Sequence, residues 1–150
     1  MTQPTTRLAD FLPYRMSITS NAVSDLIARE YRSRFGLKIA EWRVMAVLGD
    51  VGDATQRELV AATRMDKVAV NRATKALGER VLIARAPNMH DGRSHHLALT
   101  EAGQALYIEI MPLALQMEAL VLEVLSPPEN AQFSALLDKL LCRADELARE

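Results

Sequence analysis

The sequence has one cysteine, six glycines and six prolines in 150 residues, and aromatic side chains make up only 5% of it. A lone Cys142 cannot close an internal disulfide, so a reducing, cytoplasmic setting is expected. Few helix breakers beside abundant Ala, Leu and Glu favour helix over sheet. No uninterrupted run of about 18 apolar residues occurs, so no membrane partner is expected. The stretch from Met1 to Asp10 is polar and lacks the apolar core of a signal peptide. Also absent are G-x-S-x-G, a phosphate-cradling glycine loop, H-E-x-x-H and C-x-x-C. Serines and histidines are present, but nothing spaces them for catalysis. The chain is expected to be no enzyme and to need no cofactor or metal.

What is present is an uneven distribution of charge. The net value of −1 hides a basic middle, with seven Lys/Arg against three Asp/Glu between residues 64 and 93. It also hides an acidic last third, with three against nine between 101 and 150. Such an asymmetry points to one face that meets an anionic partner.

Hydrophobic spacing predicts the elements. A first helix is expected with Asp10 as N-cap and Pro13 in its first turn, stopping at Gly36. A second runs from about Ile39 to Gly49 around Trp42, Met45, Ala46 and Leu48. Thr55 and Glu58 form a T-x-x-E capping box that opens a short helix from Gln56 to about Thr63. After a break at Arg64-Met65, Asp66 caps a helix reaching about Arg80. In that helix Val70, Ala73, Thr74 and Leu77 share one face, while Lys67, Asn71 and Lys75, beside Val68 and Arg72, share another. Residues 81–86 and 95–99 then read as the strands of a two-stranded hairpin. Thr100 caps a long helix whose residues Leu106, Ile110, Leu113, Met117, Leu120 and Val124 follow a heptad seam. That helix is apolar on most sides, and a partner subunit is the simplest cover for it. Ser126 and Glu129 box the start of a last helix with Phe133, Leu136, Leu137, Leu140, Leu141, Ala144 and Leu147 as its stripe.

The fold expected is therefore mainly α: a winged helix-turn-helix with a two-stranded β-hairpin wing and a helical dimerisation region formed by both termini. The chain would be a single domain, with residues 36–100 as the winged lobe and residues 8–35 and 101–150 as the dimerisation region. Such a lobe fits double-stranded DNA, since a helix can enter the major groove while a hairpin reaches a neighbouring groove. Arg64, Lys67, Arg72, Lys75 and Arg80 are available to phosphates, Val68 lies beside them, and Asn71 can bond adenine bidentately.

At the hairpin, Asp91-Gly92-Arg93 followed by Leu97-Ala98-Leu99-Thr100 and Gly103 resembles the D-x-R…L-x-L-T…G wing signature of the MarR family. Glu41-Trp42-Arg43-Val44, Glu58-Leu59-Val60, Asp66-Lys67-Val68 and Val70-Asn71-Arg72-Ala73 extend the likeness, and Leu77, Leu82-Ile83 and Arg85 close it. The resemblance implies a homodimeric transcription regulator, commonly a repressor, on a pseudo-palindromic operator. It implies that Arg93 enters the minor groove with Asp91 orienting its guanidinium. It also implies release by a small aromatic or anionic effector, for which Tyr14, Arg15, Ile18, Asn21, Trp42, Met45 and Met65 are candidate lining residues. Arg15 would hold a carboxylate. The aromatic and Met side chains of that set serve equally well as core. Two departures stand out. Val81 occupies a position where relatives carry a left-handed Gly, so a differently shaped helix end is expected. Ala86 replaces a second basic residue.

Other readings remain on the page. Cys142 could sense oxidant, although its leucine-rich surroundings are typical of a buried inert thiol. His90, Asp91, His95 and His96 could bind zinc, although adjacent strand residues point to opposite faces. A winged dimer serving as a protein adaptor is the remaining alternative, and the cationic helix face argues against it.

Overall fold

The computed structural model describes residues 6–86 and 95–150, which divide into two compact units, Met1–Leu115 and Gln116–Glu150. Among the described residues there are six α-helices, three short strands and one 3-10 turn. The first turn, Leu8–Asp10, precedes α1, Leu12–Phe35. Asp10 is thus not the N-cap that the sequence suggested. Phe11 takes that position in an extended conformation without a side-chain cap, and Pro13 sits in the first turn. Gly36 ends α1 as expected, with φ of 64° and its N–H bonded to Arg32 O at 3.0 Å.

α2 spans Ile39–Val51. Its start is held by Glu41, whose carboxylate accepts the Lys38 N–H at 3.2 Å. Leu37, Val44, Met45 and Leu48 are fully buried and form the centre of the lobe core with Leu59, Val70, Leu77 and Ile110. Burial of one such side chain stabilises the fold by about 1.5–3 kcal/mol. Gly49 is small for a packing reason: a Cβ there would come within 2.5 Å of the Tyr107 ring.

α3, Gln56–Thr63, and α4, Lys67–Glu79, form the helix-turn-helix. The Thr55–Glu58 box closes in both directions, at 3.2 Å and 2.8 Å. Arg64 ends α3 in the left-handed region, and Asp66 then accepts the Ala69 N–H at 2.7 Å to start α4. The buried residues of α4 are Val70, Ala73, Thr74 and Leu77, the face that the spacing predicted.

The wing strands are β2, Ile83–Arg85, and β3, His96–Leu99. The sequence reading missed a third strand. β1, Asp53–Thr55, pairs antiparallel with β3 and gives a sheet of order β1-β3-β2. Three residues after Gly52, the last of them itself a helix cap, are too few to show alternation, so β1 is visible only once β3 lies beside it.

Leu82 lies at the junction of α4 with the sheet. Its N–H bonds to Leu77 O and the Val81 N–H to Gly78 O, both at 3.0 Å, which makes a Schellman ending. This requires Val81 to be left-handed, and its φ is 56°. The helix end therefore has the shape a glycine would give, contrary to expectation; tertiary bonds impose it on a β-branched residue. Thr100 donates its hydroxyl to Val81 O at 2.7 Å and its N–H to Leu82 O at 3.0 Å. It also caps α5, Glu101–Leu122, by accepting the Gly103 N–H. A Cβ on Gly103 would fall 1.9 Å from Leu82 O, so no other residue fits there without moving the backbone.

α5 is 22 residues long with a mean hydropathy of 1.6 over its most apolar 18-residue window, enough by length and composition to cross a membrane. The sequence reading, which sought an uninterrupted apolar run, passed over it. Gly103 and Ile110 are its buried residues, while Ile108, Leu115 and Leu120 are exposed.

In the second unit, α6, Pro127–Leu147, opens on the expected box. The Ser126 N–H donates to the Glu129 carboxylate at 3.0 Å and Ser126 Oγ accepts the Glu129 N–H at 3.3 Å; hydrogen bonding from the Ser126 backbone and side chain holds the Glu129 carboxyl below its usual range. Phe133, Leu136, Leu137, Leu140, Leu141 and Leu147 are all exposed in the isolated chain. Cys142 is exposed as well, not buried as its leucine-rich surroundings suggested, because the stripe beside it is uncovered.

Left-handed Val81 costs roughly 1–2 kcal/mol relative to a residue without Cβ, less roughly 0.5–1 kcal/mol for the greater unfolded freedom of glycine. Val81 is 65% exposed and loses little packing. Val81→Gly is therefore expected to stabilise the protein by about 1 kcal/mol, read as a higher urea midpoint at unchanged slope. A lower midpoint would mean that the valine side chain contributes more than its backbone costs.

Candidate nucleic-acid interface

The face of α4 opposite the core is exposed at Lys67, Val68, Asn71, Arg72 and Lys75. These residues stand in successive turns, so two lysines and an arginine flank an amide along about 12 Å of helix. Val68 is 60% exposed, an apolar group set among them in the first turn. Capping by Asp66 and burial of Val70 and Leu77 fix the helix, so these side chains are presented from a rigid base. Arg64, at the left-handed end of α3, stands at the entry to the same turn. The sequence reading brought these residues together, and the structure keeps them on one surface.

Beside α4, the wing contributes more. A cleft of about 380 Å³ lies between α4 and the sheet, lined by Gln56, Asn71, Thr74, Lys75 and Arg85 among others. Gln56 donates from Nε2 to Thr74 Oγ1 at 2.7 Å, and the Thr74 hydroxyl donates to Asn71 O at 3.1 Å. The chain of bonds ties the first residue of α3 to the backbone of α4 beneath Asn71. Gln56 Oε1 is buried and has no protein partner among the described residues. The Arg85 guanidinium lies against the His95 ring. His96 Nδ1 meets Asp53 Oδ2 at 2.7 Å, joining β3 to β1 by side chains as well as by backbone. Gln56 and the Asp53–His96 pair were not foreseen, because each depends on a partner 18 or 43 residues away.

Asp91 and Arg93, with Gly92 and His90, lie outside the described residues. Arg80 is not placed for phosphates. Its guanidinium donates to Phe35 O at 2.9 Å and Gly36 O at 3.4 Å.

Helix-turn-helix, capped α4 and flanking sheet together form a winged helix. The profile of the MarR family matches residues 35–94, the segment that holds this unit. A MarR/EmrR family transcriptional regulator from Acinetobacter sp. ADP1 has the same fold, with a TM-score of 0.86 at 28% identity over 94% of this chain and 99% of that one. The winged segment matches the MarR family, and the fold is that of a MarR/EmrR family regulator. The chain is also 31% identical over 97 residues to the HTH-type transcriptional repressor NicR of Pseudomonas putida, a match over 65% of this chain and 61% of NicR. Bordetella bronchiseptica BpsR, whose DNA binding is regulated by 6-hydroxynicotinic acid, superposes with a TM-score of 0.75 at 26% identity, covering 86% of this chain and 97% of BpsR. These MarR-type relatives are regulators, not enzymes.

The seven residues named for an effector fall in two groups. Trp42 and Met45 are buried in the core, and Met65 packs partly buried against it. Tyr14, Arg15, Ile18 and Asn21 are exposed on the first half of α1, outside that core cluster. Trp42 is flanked by Tyr31 and Tyr107, with ring centroids 5.8 Å and 5.9 Å away. Burial pushes the Tyr31 hydroxyl above its ordinary pKa, partly offset by Arg43 and Arg32.

Proposed function

We propose that the protein is a homodimeric transcription regulator, a repressor that binds a pseudo-palindromic DNA site and is released by a small aromatic acid. The observation that carries this reading is the exposed, cationic face of α4, capped and backed by core, beside a wing in a segment that matches the MarR family. In the reading, Asn71 faces a base edge, while Arg64, Lys67, Arg72 and Lys75 contact phosphates and Val68 offers an apolar contact to a thymine methyl. Arg93, oriented by Asp91, enters the minor groove from the wing. The acidic last third repels DNA and would keep the helical region away from it.

Dimerisation is supported by the apolar surface that one chain leaves bare on α1, α5 and α6. Phe11, Leu12, Ile108, Leu120, Phe133 and Leu140 are half or more exposed or nearly so, far more than a stable monomer ordinarily shows. A bilayer is the poorer cover for α5, because Glu109 near its middle would be costly in hydrocarbon. A second copy leaves such a residue at a wet rim. The cytoplasm is the setting such a regulator needs.

An effector is supported by the regulation of BpsR by 6-hydroxynicotinic acid. Tyr14, Arg15, Ile18 and Asn21 from α1 are assigned to its site together with Trp42, Met45 and Met65, which a ligand would have to uncover from the core. Arg15 takes the carboxylate with its fork of donors. A ligand that prefers the non-binding spacing of the two lobes shifts the population off DNA.

The first test is binding to DNA from upstream of the protein's own gene and to a random-sequence duplex pool, across a salt series. Tight, sequence-preferring binding that weakens steeply with salt is expected. Lys75→Ala should lower the salt slope by about 1, and Asn71→Ala should cost about 1–3 kcal/mol of base discrimination. Binding without sequence preference from both sources would refute the regulator. A second test addresses the dimer: sedimentation should give twice the chain mass, and Leu137→Glu with Leu141→Glu should give monomers that no longer hold two half-sites. A wild-type monomer would refute the symmetric reading.

A further inference from the structure

Arg80, the residue that caps the C-terminal end of α4, is directed to the end of another helix. It follows the last residue of α4, and its guanidinium spans two successive carbonyls, Phe35 O at 2.9 Å and Gly36 O at 3.4 Å. Those carbonyls end α1, where the partial negative charge of the helix dipole gathers and intrahelical donors run out. A planar guanidinium with several donors can bond both oxygens at once; an ammonium offers a point charge on a flexible stem. The contact crosses 44–45 residues of sequence, so it joins two elements instead of finishing one.

The surroundings of Arg80 are equally constrained. Val81 is held left-handed, Leu82 is buried under α4, and Thr100 bonds the carbonyls of both. The C-terminal end of α4 is therefore fixed to α1 by Arg80 and to the start of α5 by Thr100. The rest of α4 is held by its cap, Asp66, by the Gln56–Thr74–Asn71 bonds to α3 and by its buried face. Arg80 thus adds a fixed point at the C-terminal end, where α4 meets α1.

We infer that Arg80 is a positioning residue for DNA recognition: it locks the recognition helix onto the C-terminal end of α1 and makes no phosphate contact itself. The inference rests on the reading of α4 as the recognition helix. Through this strut a displacement of α1 reaches Asn71 and Lys75 as a change in their approach to the groove.

The test compares wild type, Arg80→Lys and Arg80→Gln on a duplex that wild type prefers over a scrambled one. Affinity is measured across a salt series, with melting temperature and amide hydrogen exchange alongside. Both variants should lose roughly tenfold in affinity at every salt concentration, with the salt slope of wild type. Amides in the last two turns of α4 should exchange faster in both, with those of α6 unchanged. The inference is overturned if Arg80→Lys matches wild type while Arg80→Gln loses affinity and about 1 in slope, which marks a phosphate contact. It is overturned as well if both variants keep wild-type affinity, whether or not they melt earlier, since a role in stability alone does that. If a variant does not fold, the other carries the comparison. Should wild type itself prefer no sequence, the reading of α4 fails first, and that outcome is told apart because it needs no variant.

Discussion

The carbonyl oxygen of Leu82 accepts the Thr100 N–H at 3.0 Å and occupies the space that a Cβ on Gly103 would need. Around that contact α4 ends, the wing begins, the wing returns and the long helix starts. Because Leu82 must be buried beneath Leu77, the chain must turn sharply after Arg80, and Val81 absorbs the turn in a left-handed conformation. Because Thr100 must bond both Val81 O and the Gly103 N–H, β3 must arrive in one register beside β2. A winged lobe can display α4 at a defined angle only if this junction is rigid. The separate features of the L-x-L-T…G pattern are thus one packing requirement seen at several positions.

Much of this was legible in the residues. The boxes at Thr55–Glu58 and Ser126–Glu129 and the cap at Asp66 placed three helix starts correctly, since a cap is a local event written within four residues. The division of α4 into a buried face through Val70, Ala73, Thr74 and Leu77 and a polar face through Lys67, Asn71 and Lys75 followed from helical period alone. Contacts between distant segments were not legible. β1 is too short to alternate, Arg80 looks like any other exposed cation until Gly36 lies beside it, and Gln56 becomes a brace only with Thr74. Asp10 failed as a cap because an extra turn at Leu8–Asp10 precedes the helix. Val81 argued against a left-handed end because propensity concerns the isolated residue, and two tertiary hydrogen bonds from Thr100, with two local bonds that close the helix end, outweigh a cost of roughly 1–2 kcal/mol.

The chain also divides its labour by polarity. One side of the winged lobe gathers cations on a fixed helix, and the helical segments carry acids together with long apolar stripes. A net charge near zero is therefore no argument against an anionic partner, because the field that a partner meets is local. The exposed leucines of α6 and the bare flank of α5 make the isolated chain incomplete. Covering those surfaces with a second copy would set two recognition helices at a fixed separation, turning a single helix–groove contact into one that reads spacing.

The central claim is that α4 enters the major groove, once from each of two subunits. Dimethyl sulfate protection on the preferred duplex tests it most directly, since guanine N7 faces the major groove and adenine N3 the minor groove. The account predicts N7 protection in two patches about one helical turn apart, related by two-fold symmetry. Protection confined to adenine N3, or a single asymmetric patch, would contradict it.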